Sequence, residues 1–398
     1  MQLDNNPARI KELDRVQNGN NFPRVSEPDG LQSGNNPTRI RELDGLRGIA
    51  ILLVVSFHYI NNQLIHVSNQ PAKILSTITS FGWIGVDLFF VLSGFLIGNI
   101  LIRNKGSKRY FPTFFIRRML RIIPNYYLLV GVFLLIGIIP YFSGNYFLTG
   151  NRIFPDWTYI AMVHNFFMAF SENMGNDAMS VTWSIGIEEQ FYLVFPFLVY
   201  YMRSRWLPYF LVFVMVLAFL ARMQFEHWIP GYVLLHCRAD ALAIGALIAW
   251  FNQRKSFEEV VNRNKRILLL VPVFVVIGCA LLFFIYQDLG SIRNSLFSIF
   301  FGFCLLWALT QKTSWYAQVL RNKVLVAVGT ISYSLYLFHY LILGLSHHIA
   351  GNKEGIGIYG AGDILVSVIA LIISFAVARG IYVFLESPMV QIGKRYKY

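Results

Sequence analysis

Residues Arg39 to His58 read RIRELDGLRGIAILLVVSFH, a charged opening that becomes apolar after Arg47 but for Ser56 and is closed by an ionisable ring. Ten residues separate Arg47 from His58. At ~3.6 residues per turn and ~1.5 Å per residue, eleven steps make about three turns and about 16 Å, so both side chains are expected on one helix face. With Arg47 at the water boundary of a hydrocarbon core roughly 30 Å thick, His58 falls near its middle. An imidazole at that depth is either hydrogen-bonded inside a bundle or a functional group, and spacing leaves both readings open.

Around this stretch the chain has 398 residues, 56% hydrophobic, 16% aromatic and only 14% charged. Its apolar residues fall in long runs, which predicts an all-α, polytopic transmembrane helical bundle. About ten spanning helices are expected, near 48–65, 82–102, 122–142, 183–202, 206–224, 231–251, 267–286, 293–310, 325–347 and 361–385. A net charge of +13 would raise the question of nucleic acid in a soluble protein. Here the cations collect in alternate loops, Arg103–Arg121, Arg254–Arg266, Lys312–Lys323 and Lys394–Lys397, so topology accounts for them and no nucleic-acid partner is expected. That side, with both termini, is expected to be cytoplasmic, in the inner membrane of a cell. The 143–182 loop, with Asp156, Glu172 and Asp177 against Arg152, is expected outside, and its stretch 157–170 reads as an interfacial or re-entrant helix. Residues 1–38 read as a disordered cytoplasmic tail in which NNPARIKELD anticipates NNPTRIRELD at 35–44. Residues 391–398 read as a second short cytoplasmic tail. Cys237, Cys279 and Cys304 lie in apolar runs and read as small core residues.

Several polar groups enter these apolar runs. Asp87 lies in GWIGVDLFFVLSGFLIG, where it serves either chemistry or a helix–helix bond eased by Gly85, Ser93, Gly94 and Gly98. Arg117, Arg118 and Arg121 stand just before the third span, with Arg117 and Arg121 expected on one face. Guanidinium groups bind phosphate in bidentate fashion, although ordinary loop charge explains the cluster equally well. Glu188 and Glu189 enter the fourth span, and His236, Arg238 and Asp240 share one turn of the sixth, where Arg238 neutralises Asp240 or another acid. In the ninth, Ser332, Tyr333, Ser334, Tyr336 and His339 form a polar stripe read as helix-to-helix glue in preference to an acceptor site. Adjacent His347 and His348 cannot converge on one ion within a helix, and no metal site is expected. Cytoplasmic arginines, a mid-membrane histidine and acids entering from outside suit an anionic donor docking inside and a polar acceptor arriving outside.

In order, LDGLRGIAILLVVSFHY, GVDLFFVLSGFLI, FIRRMLRIIPNYY, TWSIGIEEQFYLVFP, RADALAIGAL and ISYSLYLFHY resemble the successive motifs of the acyltransferase 3 family of integral membrane acyltransferases. The resemblance spans residues 39–390 and departs from the commonest form at SIGIEEQ, where SLSVEEQ is frequent. It implies transfer of an acyl group, usually acetyl, from acyl-coenzyme A to a hydroxyl of a carbohydrate or glycosylated acceptor. Arg47 and His58 match the family's Arg-x10-His pattern, Arg117 and Arg121 its arginine cluster, and Glu188 and Glu189 its WSxxxE region. A C-terminal esterase-like domain carried by some relatives is not expected here, so the membrane part would act alone or with a separate acceptor-delivering protein. On this reading Arg47, Arg117, Arg118 and Arg121 hold coenzyme A phosphates, and His58 is the general base, with an acyl-histidine as the runner-up. Asp87, Glu188 or Glu189 orients the imidazole. The competing class is a transporter of a glycolipid or anion, since buried acids and histidines also mark proton relays.

Overall fold

The computed structural model describes residues 40–64, 67, 69–139, 154–286, 292–351 and 356–398, excepting the side chains of 269 and 279–286. The expectations for tail 1–38 with its repeated segment, for Arg152 and for Cys279 lie outside the described residues and side chains. From residue 40 onward the chain forms one unit, entirely helical among the described residues.

Helix α1 (Arg41–Ser56) runs into a π-helical turn, Phe57–Asn61, that carries His58. Helix α2 (Gln70–Thr79) begins where the Asn69 side chain accepts the N–H of Ala72, and a 3₁₀ turn joins it to α3 (Gly85–Arg103). Helix α4 (Tyr110–Ile138) is followed by short α5 (Asp156–Ile160), α6 (His164–Ser171) and α7 (Asp177–Ser180). Next come α8 (Trp183–Tyr201), α9 (Leu207–Arg222), α10 (Trp228–Val233) and α11 (Leu235–Asn252). They are succeeded by α12 (Phe257–Arg263), α13 (Lys265–Tyr286), α14 (Ile292–Thr310) and α15 (Trp315–Leu320). The chain closes through α16 (Lys323–Thr330), α17 (Ser332–Ile349), α18 (Ala361–Ile381), a π turn at Tyr382–Glu386 and α19 (Ser387–Lys394).

Among the described residues, six helical runs are long and apolar enough to cross a membrane: Arg41–Leu64, Gln70–Arg103, Tyr110–Ile138, Trp228–Asn252, Ile292–Thr310 and Ala361–Lys394. The protein is therefore a multi-pass membrane protein. The expected ninth span is a bent pair, α16 and α17 meeting at 73°, which makes a seventh crossing if the two act as one. The other expected spans, over α8, α9 and α13, are helical but not among the six; α9 has only 16 residues, and α8 carries Glu188, Glu189 and Gln190 in its apolar run. The 157–170 stretch breaks into α5 and α6 around Met162, whose φ is 57°, and does not span. The arginine cluster lies inside α4, after a connection of only 104–109, and not in a loop.

Close backbone approach fixes the centre. A Cβ on Gly94 of α3 would lie 2.0 Å from the Leu242 carbonyl oxygen of α11, and one on Gly245 would lie 2.0 Å from that of Val91. These helices pack main chain to main chain, as small residues allow in lipid. Gly48 of α1 would likewise meet the Leu325 carbonyl of α16 at 2.3 Å, which pins the turn carrying Arg47. Burial of 72% for the Trp228–Asn252 run against 22% for Ala361–Lys394 puts α11 at the core and α18 at the periphery.

Candidate active site

Two recesses approach each other in the bundle. The first, with an empty volume of about 770 Å³, is lined by Arg47 of α1, Arg118 and Arg121 of α4, Ser93 of α3, Glu188 and Tyr192 of α8, and the start of α17. Three guanidinium groups face one carboxylate there. Glu188 accepts from Ser93 Oγ and from Tyr192 O–H, each at 2.8 Å, so each of its oxygens has a hydroxyl partner. The Arg118 guanidinium sits 5.5 Å over the Tyr192 ring. Arg47 reaches Asp44 at 3.4 Å, one turn earlier in its own helix.

Positions 118 and 121 face the recess, whereas Arg117, expected to share it, does not. Its Nε donates to the Tyr396 carbonyl at 2.8 Å and its guanidinium lies 5.2 Å over the Tyr398 ring. Arg117 lies only about 40° around the helix from Arg121 and about 100° from Arg118, so its engagement by the C-terminal segment, and not the helical face alone, keeps it out of the recess.

The second recess, about 1,260 Å³, is lined by His58, Phe57, Trp83, Trp183, Trp228, Tyr232 and Arg293, together with Met174 and Ser180. Arg293 lies 4.9 Å over the Trp83 ring, and the Tyr232 ring packs against Trp183 at a 44° tilt with centroids 4.4 Å apart. Val86 and Tyr336 line both recesses. The Tyr336 hydroxyl is held there, donating to the Val181 carbonyl at 2.8 Å with Ser184 Oγ at 2.7 Å. Arg47 and His58 share a helix, as expected, yet they line different recesses, because neighbouring α3 and α17 intrude between them.

None of the three acids expected to orient His58 hydrogen-bonds it among the described residues. Asp87, fully buried, binds Arg238 across the α3–α11 contact. Asp240 instead pairs with Arg222 at 2.8 Å, so Arg238 neutralises another helix's acid. Glu188 serves the arginine recess, and Glu189 lines neither, its Oε1 buried without a partner. The neighbour of His58 is His339 of α17, whose Nε2 lies 3.1 Å from His58 Nδ1. The polar stripe thus bonds across to the helical turn that carries His58.

Sequence reasoning missed Val86 as a shared wall and the aromatic lining of the histidine recess, since nothing in a lone Val or Trp signals what it faces. It also missed Glu386, which accepts from Ser334 at 2.7 Å and Asn125 at 3.2 Å. An acid ending the last apolar run was the signal available. Outside the spanning segments, burial pushes the His164 ring down to about 4 and raises the Asp177 carboxyl above its ordinary range. Among the described residues no group of three metal-ligating side chains occurs.

The acyltransferase domain family matches residues 40–383. O-acetyltransferase OatA of Staphylococcus aureus (strain NCTC 8325 / PS 47) is 29% identical over 339 residues, covering 79% of this chain and 53% of that protein. Peptidoglycan O-acetyltransferase OatA of Listeria monocytogenes serovar 1/2a is 27% identical over 370 residues, covering 87% of this chain and 55% of its own length. The chain thus spans about half the length of these relatives. No solved structure matches it. With the match running from the arginine of helix α1 through the polar stripe of α17 and into the last long helix, the chain belongs to the acyltransferase 3 family.

Proposed function

We propose that this protein is a membrane O-acyltransferase that moves an acyl group, acetyl in the first instance, from cytoplasmic acyl-coenzyme A to a hydroxyl of a glycan on the other side of the inner membrane. The observation that carries this reading is the pair of recesses meeting at Val86 and Tyr336, one rich in arginine and one aromatic with a histidine. Guanidinium groups of Arg47, Arg118 and Arg121 suit the coenzyme A phosphates, and the pantetheine arm would then extend past Val86 and Tyr336 toward His58. Aromatic faces in the second recess suit sugar rings, and one relative's name specifies peptidoglycan, so a peptidoglycan-like carbohydrate is the acceptor class assigned here. The arginine side and both termini are placed in the cytoplasm, following the loop charges.

The chemistry follows from the groups present. A neutral His58 takes the proton of the acceptor hydroxyl as its oxygen attacks the thioester carbonyl. A C–O bond forms, the C–S bond breaks, and the departing coenzyme A thiolate takes the proton back from the imidazolium. Atoms and charge balance without a metal or a covalent enzyme intermediate.

The test uses the full chain in detergent or nanodiscs with radiolabelled acetyl-coenzyme A and peptidoglycan fragments. Labelled ester should form, and His58→Gln, which cannot accept the proton, should lose about 10²–10⁴-fold in rate with donor binding kept. No transfer by a folded protein that binds the donor, or full activity in His58→Gln, would overturn this assignment.

A further inference from the structure

The hydrogen bonds around His58 fix more than its position. His339 Nδ1 lies 3.0 Å from the Leu335 carbonyl and 2.8 Å from that of Tyr336. Carbonyl oxygens only accept, so this nitrogen carries the proton, and in the neutral ring Nε2 is the bare acceptor. That bare nitrogen faces His58 Nδ1 at 3.1 Å. His58 Nδ1 also lies 3.1 Å from the Val54 carbonyl, one helical turn back. Two neighbours that can only accept therefore require a proton on His58 Nδ1. Its Nε2, with no hydrogen bond among the described residues, is left unprotonated in a ring that lines the second recess.

We propose that His339 is a positioning residue that holds His58 as the Nδ1–H tautomer, presenting Nε2 as the base, and that it supports the imidazolium formed when Nε2 takes a proton. It thus does with a neutral imidazole what a carboxylate does in a serine-hydrolase triad. His339 is itself held rigidly: its ring is fully buried, and its carbonyl accepts the Tyr59 hydroxyl at 2.9 Å. The titratable groups facing the pair are hydroxyls, those of Tyr59, Tyr336 and Tyr340. Arg293 is the charged residue lining the same recess, and no carboxylate hydrogen-bonds either ring among the described residues. A neutral orienter suits a site deep in lipid, where a buried carboxylate beside a neutral histidine would be an uncompensated charge.

The inference rests on the acyl-transfer reading for its consequence but not for its test. Full-length protein with ¹⁵N-labelled histidine rings, in nanodiscs, gives the tautomer from two-bond ¹H–¹⁵N correlations, with His58 assigned by the signals absent from His58→Gln. Nδ1 of His58 should appear protonated and Nε2 pyridine-like, and an Nε2–H His58 would overturn the inference even in an active enzyme. His339→Leu leaves the Val54 carbonyl as the one acceptor at Nδ1, so it should loosen the tautomer, letting an Nε2–H population appear beside Nδ1–H, and lower kcat by at least ~10-fold, toward the ~10⁴-fold loss known for a wrong tautomer, with the KM for acetyl-coenzyme A unchanged. His339→Gln, whose amide oxygen can accept from Nδ1–H, should keep the tautomer and recover much of the rate. Equal losses in both variants with the His58 tautomer unaltered would reduce His339 to a packing residue. Wild-type protein that shows Nδ1–H yet transfers no acyl group would overturn the function proposed above and leave the tautomer assignment standing.

Discussion

Arg121→Gln should weaken coenzyme A binding sharply, whereas Arg117→Gln, four residues earlier and one of the same cluster, should leave it nearly unchanged. Arg121 lines the arginine recess with Arg47 and Arg118. Arg117 is engaged with the Tyr396 carbonyl and the Tyr398 ring. A charge-assisted hydrogen bond is worth ~1.5–3 kcal/mol, which converts to roughly 10- to 150-fold in Kd. Three guanidinium groups share one small space, so removing one also relieves repulsion in the empty site, and the loss should fall toward the lower end, about tenfold. Arg117→Gln removes an interaction with the chain's own C-terminal segment, worth ~1 kcal/mol of local stability and nothing in donor affinity. Calorimetric titration of coenzyme A into the full chain in detergent reads both, at two salt concentrations, since phosphate contacts weaken as salt rises. Losses of equal size at 117 and 121, or none at 121, would refute the assignment of the recess to the phosphates.

Val86→Trp should block the shared wall of the two recesses, cutting acyl transfer by about 10²-fold or more while coenzyme A still binds, because a small obstruction along the reacting path costs that much; unimpaired transfer would mean the donor arm takes another route. Asp87→Asn should destabilise by about 3–5 kcal/mol, since it leaves Arg238 charged and unpaired in the core, and the double change Asp87→Leu with Arg238→Met should restore much of the thermal midpoint. A fully stable Asp87→Asn that had lost its chemistry would return Asp87 to the reacting groups. His164 is fully buried, with its Nε2 at 2.9 Å from Thr182 Oγ1. Burial sets its folded value at about 4 against 6.5 unfolded, so the unfolded state binds more protons between those values. Stability is therefore whole above about 6.5 and falls as pH drops to about 4, by up to about 3 kcal/mol. His164→Gln should flatten that acid limb in a thermal-shift series, and an unchanged limb would assign it to another group.

Much of this protein was legible in its residues because membrane burial imposes local rules. Long apolar runs dictate helices, since a backbone in lipid must satisfy its own hydrogen bonds. Intramembrane Arg, His and Glu mark themselves as candidates because each is costly there. The spacing of Arg47 and His58, the arginine cluster and the family resemblance therefore needed no coordinates. What the sequence could not decide was which groups meet, because that depends on helices distant along the chain. Which partner Asp87 meets turned on Arg238, 151 residues away. Arg117 and Arg121 were expected on one face, but the C-terminal segment engages Arg117 and leaves Arg118 to the recess. The span count could not be settled from hydropathy alone, because α16 and α17 read as one run until the 73° bend divides them. Most of all, a lone histidine carries no record of its tautomer. Only the fold brings His339 to His58 across 281 residues, with carbonyl groups of α17 fixing the proton on one ring and thereby on the next.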